Sequence, residues 1–124
     1  MLSNEEAVAT IAVRDTKKAR EFYEETLGLR PDRSEEPGVL SYKTGPSTIL
    51  VYESRYAGTN KATAATWVVA DVDEVVKDLK QKGVAFEHYD LPNTTLRGDV
   101  HVAGGRKVAW FKDPDGNILS VVNH

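Results

Sequence analysis

The chain carries one design twice, and that repeat constrains its fold more than any other feature. Residues 8–15 read VATIAVRD and residues 64–71 read AATWVVAD. Each segment alternates small or polar side chains with apolar ones and ends in Asp. Alternation of that length specifies a half-buried strand. Ala9, Ile11 and Val13 then share one face of the first strand, and Ala65, Trp67 and Val69 one face of the second. Asp15 and Asp71 each open a helical pattern, because a carboxylate can accept from the free N–H groups of a first turn. Asp71 with Glu74 three residues on resembles a capping box. Ala19, Phe22, Tyr23 and Leu27 form the apolar stripe of the first helix; Val72, Val75, Val76 and Leu79 form that of the second. Gly28 and Gly83 stand where a left-handed C-cap is wanted.

After each glycine the pattern returns to strand. In the first half, residues 39–43 and 48–53 read as strands joined by Gly45-Pro46-Ser47, with a less regular strand over 29–34. In the second, residues 84–89, 107–112 and 117–122 do so, the last two joined by the hairpin turn Asp113-Pro114-Asp115-Gly116. The expectation is βαβββ twice: module one over about 1–57, module two over about 62–124, and a linker near 57–61. Residues 90–105 hold turn residues and few apolar ones, so they read as a long loop, of a length that is usually functional or mobile. Gly104-Gly105 is a hairpin signal; no helix follows to make it a phosphate loop.

Composition narrows the chemistry. A chain of 124 residues can bury about two thirds of its unfolded surface without a staple. The absence of cysteine excludes disulfides, thiolate metal sites and a cysteine nucleophile. Only three histidines occur, His88, His101 and His124. The net charge of −3 gives no sign of a nucleic-acid partner. No stretch approaches the roughly 20 apolar residues of a membrane span. The first ten residues have no secretory pattern, so the expected location is cytoplasmic.

The segments VRDTKKAREFYEETLGL (13–29), residues 69–83 and WFKDPDGN (110–117) occur together in an order that resembles the vicinal oxygen chelate superfamily, the glyoxalase/bleomycin-resistance/dioxygenase fold. The resemblance spans most of the chain. It implies an α+β protein in which two βαβββ modules form cupped mixed sheets with helices outside, and a homodimer. Many enzymes of that family hold a divalent metal through four side chains of the cup. The corresponding positions here are Val8, Leu50, Ala64 and Ser120. A metal needs lone-pair donors such as imidazole or carboxylate. Val, Leu and Ala supply none and Ser is a poor neutral ligand, so no metal cofactor is expected.

The same positions indicate which residues face the cup, since residues two apart share a face. Thr10 and Ala12 join Val8; Thr66 and Val68 join Ala64; Thr48 and Tyr52 join Leu50; Ile118 joins Ser120. An apolar lining with interspersed hydroxyls suits a small organic ligand. The expected ligand-binding set is Val8, Thr10, Leu50, Tyr52, Ala64, Thr66, Trp110 and Ser120. Metal-free relatives in the family include drug-sequestering resistance proteins, so the leading expectation is a binding protein. The alternative is a lyase or isomerase using acid–base groups, with Glu53, His101 and Tyr52 as candidates, or an atypical metal site. A protein-interaction module is a third reading, resting on the 90–105 segment. Plain structural roles compete at several positions: strand packing for Tyr42 and Tyr52, packing under the helix for Trp67, and surface exposure for His88, His101 and Arg55.

Overall fold

The computed structural model describes residues 1–32 and 36–124. The polypeptide divides into two compact units, Met1–Ala57 and Gly58–His124.

The first unit begins with a short 3-10 turn, Leu2–Asn4, followed by strand β1, Ala9–Val13. Asp15 then caps helix α1, Thr16–Arg20, its carboxylate accepting from the Lys17 amide at 2.9 Å. The helix loosens into a π-helical segment over Glu21–Thr26 before Gly28 ends it at φ +73°. Strands β2 (Arg30–Asp32), β3 (Val39–Thr44) and β4 (Ser47–Glu53) complete a sheet of order β1-β4-β3-β2. β1 runs parallel to β4, and the other neighbours are antiparallel. Of the expected strand over 29–34, Arg30–Asp32 is strand, and Arg33 and Ser34 lie outside the described residues.

One face of this sheet is the core. Ile11, Val13, Leu40, Tyr42, Ile49 and Val51 are buried together with Ala19 and Tyr23. Tyr42 therefore belongs to the core. Its ring stacks on Tyr23 at 6.1 Å, and its hydroxyl donates to Glu24 Oε2 at 2.7 Å. Burial, then the adjacent Glu24 carboxylate, raise its pKa well above the usual phenol range.

The second unit repeats the scheme. Strand β5 (Thr63–Val69) leads to helix α2 (Val72–Gln81), whose cap Asp71 accepts from the Glu74 amide at 3.1 Å. Gly83 follows at φ +91°. Val72, Val76 and Leu79 are the helix's buried stripe, and Ala109, Phe111, Leu119 and Val121 are buried on the strands. Strands β9 (Arg106–Lys112) and β10 (Ile118–Asn123) flank the Asp113 turn, in which Asp113 Oδ1 accepts from the amides of Asp115 and Asn117.

Two expectations need correction here. The strand over 84–89 is only Phe86–Glu87 (β6). The expected loop 90–105 contains a hairpin, β7 (Thr95–Arg97) and β8 (Val100–Ala103), joined by Gly98-Asp99. Its strands are short and β7 is exposed throughout, so they lack the alternating burial that marks a strand in sequence. The sheet order is β5-β10-β9-β8-β7, with β6 also pairing β9. β6 and β8 thus share one edge of β9, β6 against Trp110 and Phe111, β8 against residues 106–108. The hairpin is an addition to the repeated module. No helix among the described residues is long and apolar enough to cross a membrane.

Candidate functional site in the second unit

The face of this sheet away from α2 bounds a cleft of about 360 Å³. Register explains which side chains reach it. Ser120 stands opposite Thr66 on β5 and Trp110 on β9, while His101 on β8 stands opposite Val108. Alternation along β9 adds Arg106 to Val108 and Trp110. Leu91 and Thr94, from the segment before the hairpin, also line the cleft.

The cleft's polar groups are mostly committed to one another. Thr66 and Ser120 share a hydrogen bond of 2.7 Å between their hydroxyls. The Trp110 indole N–H donates to Thr63 Oγ1 at 3.1 Å. His101 is only 3% exposed, and its Nε2 accepts from the Tyr89 amide at 2.9 Å. In a neutral imidazole, an accepting Nε2 leaves the proton on Nδ1. That Nδ1 is buried and has no hydrogen-bond partner. An unpaired buried donor costs about 1–3 kcal/mol, so few are tolerated without reason.

Aromatic rings hold the histidine in place. His101 meets Trp110 edge to face at 4.8 Å and lies nearly parallel to Tyr89 at 6.2 Å; Tyr89 meets Trp110 at 5.3 Å. The Tyr89 hydroxyl is also buried without a partner. Burial, then the charge of Glu87, raise the Tyr89 pKa, with Lys112 opposing. It is therefore a phenol, a donor, at neutral pH.

A charged cluster secures the hairpin behind this wall. Asp99, in the β7–β8 turn, pairs with Lys80 of α2 and accepts from His88, both at 2.7 Å. Those hydrogen bonds, Lys80's first and His88's second, hold the Asp99 carboxyl below its ordinary pKa.

Of the expected ligand-binding residues, Thr66, Trp110 and Ser120 converge on this cleft. Ala64 is exposed near the start of β5 and is not part of the wall; a register shift between Ile118 and Leu119 accompanies Thr63 taking that role. Val8, Thr10, Leu50 and Tyr52 belong to the first unit. Thr10 pairs with Leu50 across β1 and β4, and Ala12 with Tyr52, on the sheet face away from the buried core. Val8 and Tyr52 are exposed there. Glu53 is exposed at the end of β4 and, by alternation, points opposite to Leu50.

His101 requires a correction, because surface exposure was its plainer expectation and it is instead buried on a strand. Sequence reasoning missed Thr63, Arg106 and Val108. Counting back by twos from Trp110 would have found the last two, once a face had been assigned to Trp110.

The residues at the family's metal positions do not fit a metal. Val8, Leu50 and Ala64 have no donor atom, and the Ser120 hydroxyl is engaged by Thr66. Among the described residues, no three His, Asp or Glu side chains group so as to hold an ion.

The model of the Glyoxalase/Bleomycin resistance protein/Dioxygenase superfamily matches residues 7–121, and the chain belongs to that family. Solved structures with the same fold include a superfamily member from Sphaerobacter thermophilus DSM 20745, at 24% identity, TM-score 0.70 and full coverage of both chains. A glyoxalase family protein from Enterococcus faecalis has TM-score 0.73 at 21% identity, covering 98% of this chain and 99% of that one. A lactoylglutathione lyase from Agrobacterium tumefaciens has TM-score 0.72 at 18% identity, covering 99% and 96% respectively. No curated protein sequence matches this chain.

Proposed function

We propose that this member of the superfamily is a metal-independent protein that binds a small organic molecule in the cleft of its second unit. The observation that carries the reading is the buried, partnerless Nδ1–H of His101 in the wall of that cleft. Nδ1 is covered in the free chain, so a ligand acceptor would satisfy it once the side chains over it shift, converting an unpaired donor into a hydrogen bond. The remaining wall supports the same reading. It combines one aromatic face, aliphatic side chains and a few fixed hydroxyls, at a volume within the range of ligand sites. The residues standing at the metal positions support metal independence.

The binding reading is preferred to acid–base catalysis. His101 spends its basic nitrogen on the Tyr89 amide, and Glu53 projects from the opposite face of β4 to Leu50. The proposal includes a cytoplasmic homodimer, and the exposed apolar side chains Val8, Tyr52 and Val68 are consistent with surfaces that a second copy covers.

A thermal-shift screen against a library of neutral, anionic and cationic fragments tests the binding reading, with His101→Phe as control. Phe keeps the ring packing and removes the donor. At least one compound is expected to raise the wild-type midpoint and to raise that of the variant less. A library that moves neither would sink the reading.

A further inference from the structure

We infer that the cleft takes an elongated organic anion: a flat apolar body against Trp110 and a carboxylate or comparable acidic group at Arg106. This rests on the binding reading above and adds the chemistry of the ligand. β9 presents Arg106, Val108 and Trp110 on one face, and all three line the cleft. Four residue steps of strand lead from the guanidinium-bearing position to the indole-bearing one, about 13 Å along the backbone. His101, with its unpaired Nδ1–H, stands in register with Val108 between those two ends.

The charge balance of the wall is one-sided. No carboxylate is among the described residues that line the cleft, and Arg106 is its one permanent cation. The lysines of the same strand are neutralised, Lys107 by Asp73 and Lys112 by Glu87. Arg106 forms no ion pair with a described residue, although the chain as a whole carries a net charge of −3. A cationic ligand would meet like charge at one end of the slot. A neutral one would leave the guanidinium unused. An acid would gain a charge-assisted hydrogen bond there, which Arg can make in bidentate form.

Three matched probes separate these cases: 4-phenylbutyrate, 4-phenylbutyramide and 4-phenylbutylamine, titrated calorimetrically into the purified full chain. The carboxylate is expected to bind about tenfold more tightly than the amide, the amine more weakly still. Arg106→Gln should abolish the preference for the carboxylate, lowering carboxylate affinity more than amide affinity; Arg106 is exposed, so the variant should fold. Equal affinities, a preference for the amine, no binding at millimolar concentration, or a preference that survives in Arg106→Gln each overturns the inference. If the fragment screen still yields neutral binders, ligand binding stands and only the anion is rejected. If it yields none, both fail.

Discussion

Gly58 shows how a single missing Cβ can be required. It sits at φ +71°, directly against the backbone carbonyl of Asp115, and its own amide donates to Asn117 Oδ1 at 3.3 Å. Gly104 has a similar φ of +60° with open space where a Cβ would go. The pair separates two costs. Gly104→Ala should destabilise by about 1–2 kcal/mol, the price of the left-handed conformation alone. Gly58→Ala adds a collision with main chain that no rotamer change relieves, so its loss should exceed about 3 kcal/mol. Urea unfolding of both variants measures the difference. Equal losses would mean that the Asp115 turn moves aside freely.

At the scale of elements, the added hairpin depends on one carboxylate. Asp99 ties the β7–β8 turn to α2 through Lys80 and to the end of β6 through His88. Its pKa in the folded chain is below the ordinary 3.8. A depressed carboxyl contributes stability above its unfolded pKa and loses it as pH falls through the folded value. Asp99→Asn should therefore lower stability at pH 7. The deficit should begin to shrink as pH falls past the ordinary 3.8 of the unfolded carboxyl, and vanish only once pH is below the lower folded value. Amide exchange in β7 and β8 should quicken in the variant while β1–β4 stay unchanged. A deficit independent of pH would assign the loss to packing instead.

The elements also mark the limit of what the amino acids disclosed. The repeated strands, both Asp caps and both left-handed glycines were readable, because each rests on local chemistry at fixed spacing. The hairpin was not, since Thr95–Arg97 is exposed and Val100–Ala103 has only four residues. His101 was lost with it: a histidine looks exposed until the strand that buries it is recognised. Thr66 followed from alternation and Ser120 from the family resemblance, Trp110 was named without an assigned face, and Thr63 depended on a register shift that no residue type announces.

For the whole molecule, the repeat shows which parts of the family scaffold this chain retains. Both units keep the strand, capped helix and parallel closing pair, β1 with β4 and β5 with β10. The residues that the family resemblance sets at metal positions are Val8, Leu50, Ala64 and Ser120, and Ser120 shares a hydrogen bond with Thr66. An ion that binds only the native state stabilises it by RT ln(1 + [L]/Kd), about 4 kcal/mol at a thousandfold excess over Kd. Its removal would lower the unfolding midpoint by several degrees. Here the core of the first unit is carried by Tyr23, Tyr42 and aliphatic side chains, and that of the second by Phe111 and aliphatic side chains, none of which needs an ion. Dialysis against EDTA should accordingly leave both the thermal midpoint and any ligand-induced shift unchanged, and elemental analysis of the purified protein should find substoichiometric Ni, Zn, Fe and Mn. A midpoint that fell on chelation and recovered on adding one of these ions would require donors outside the inherited positions, and metal independence would be withdrawn.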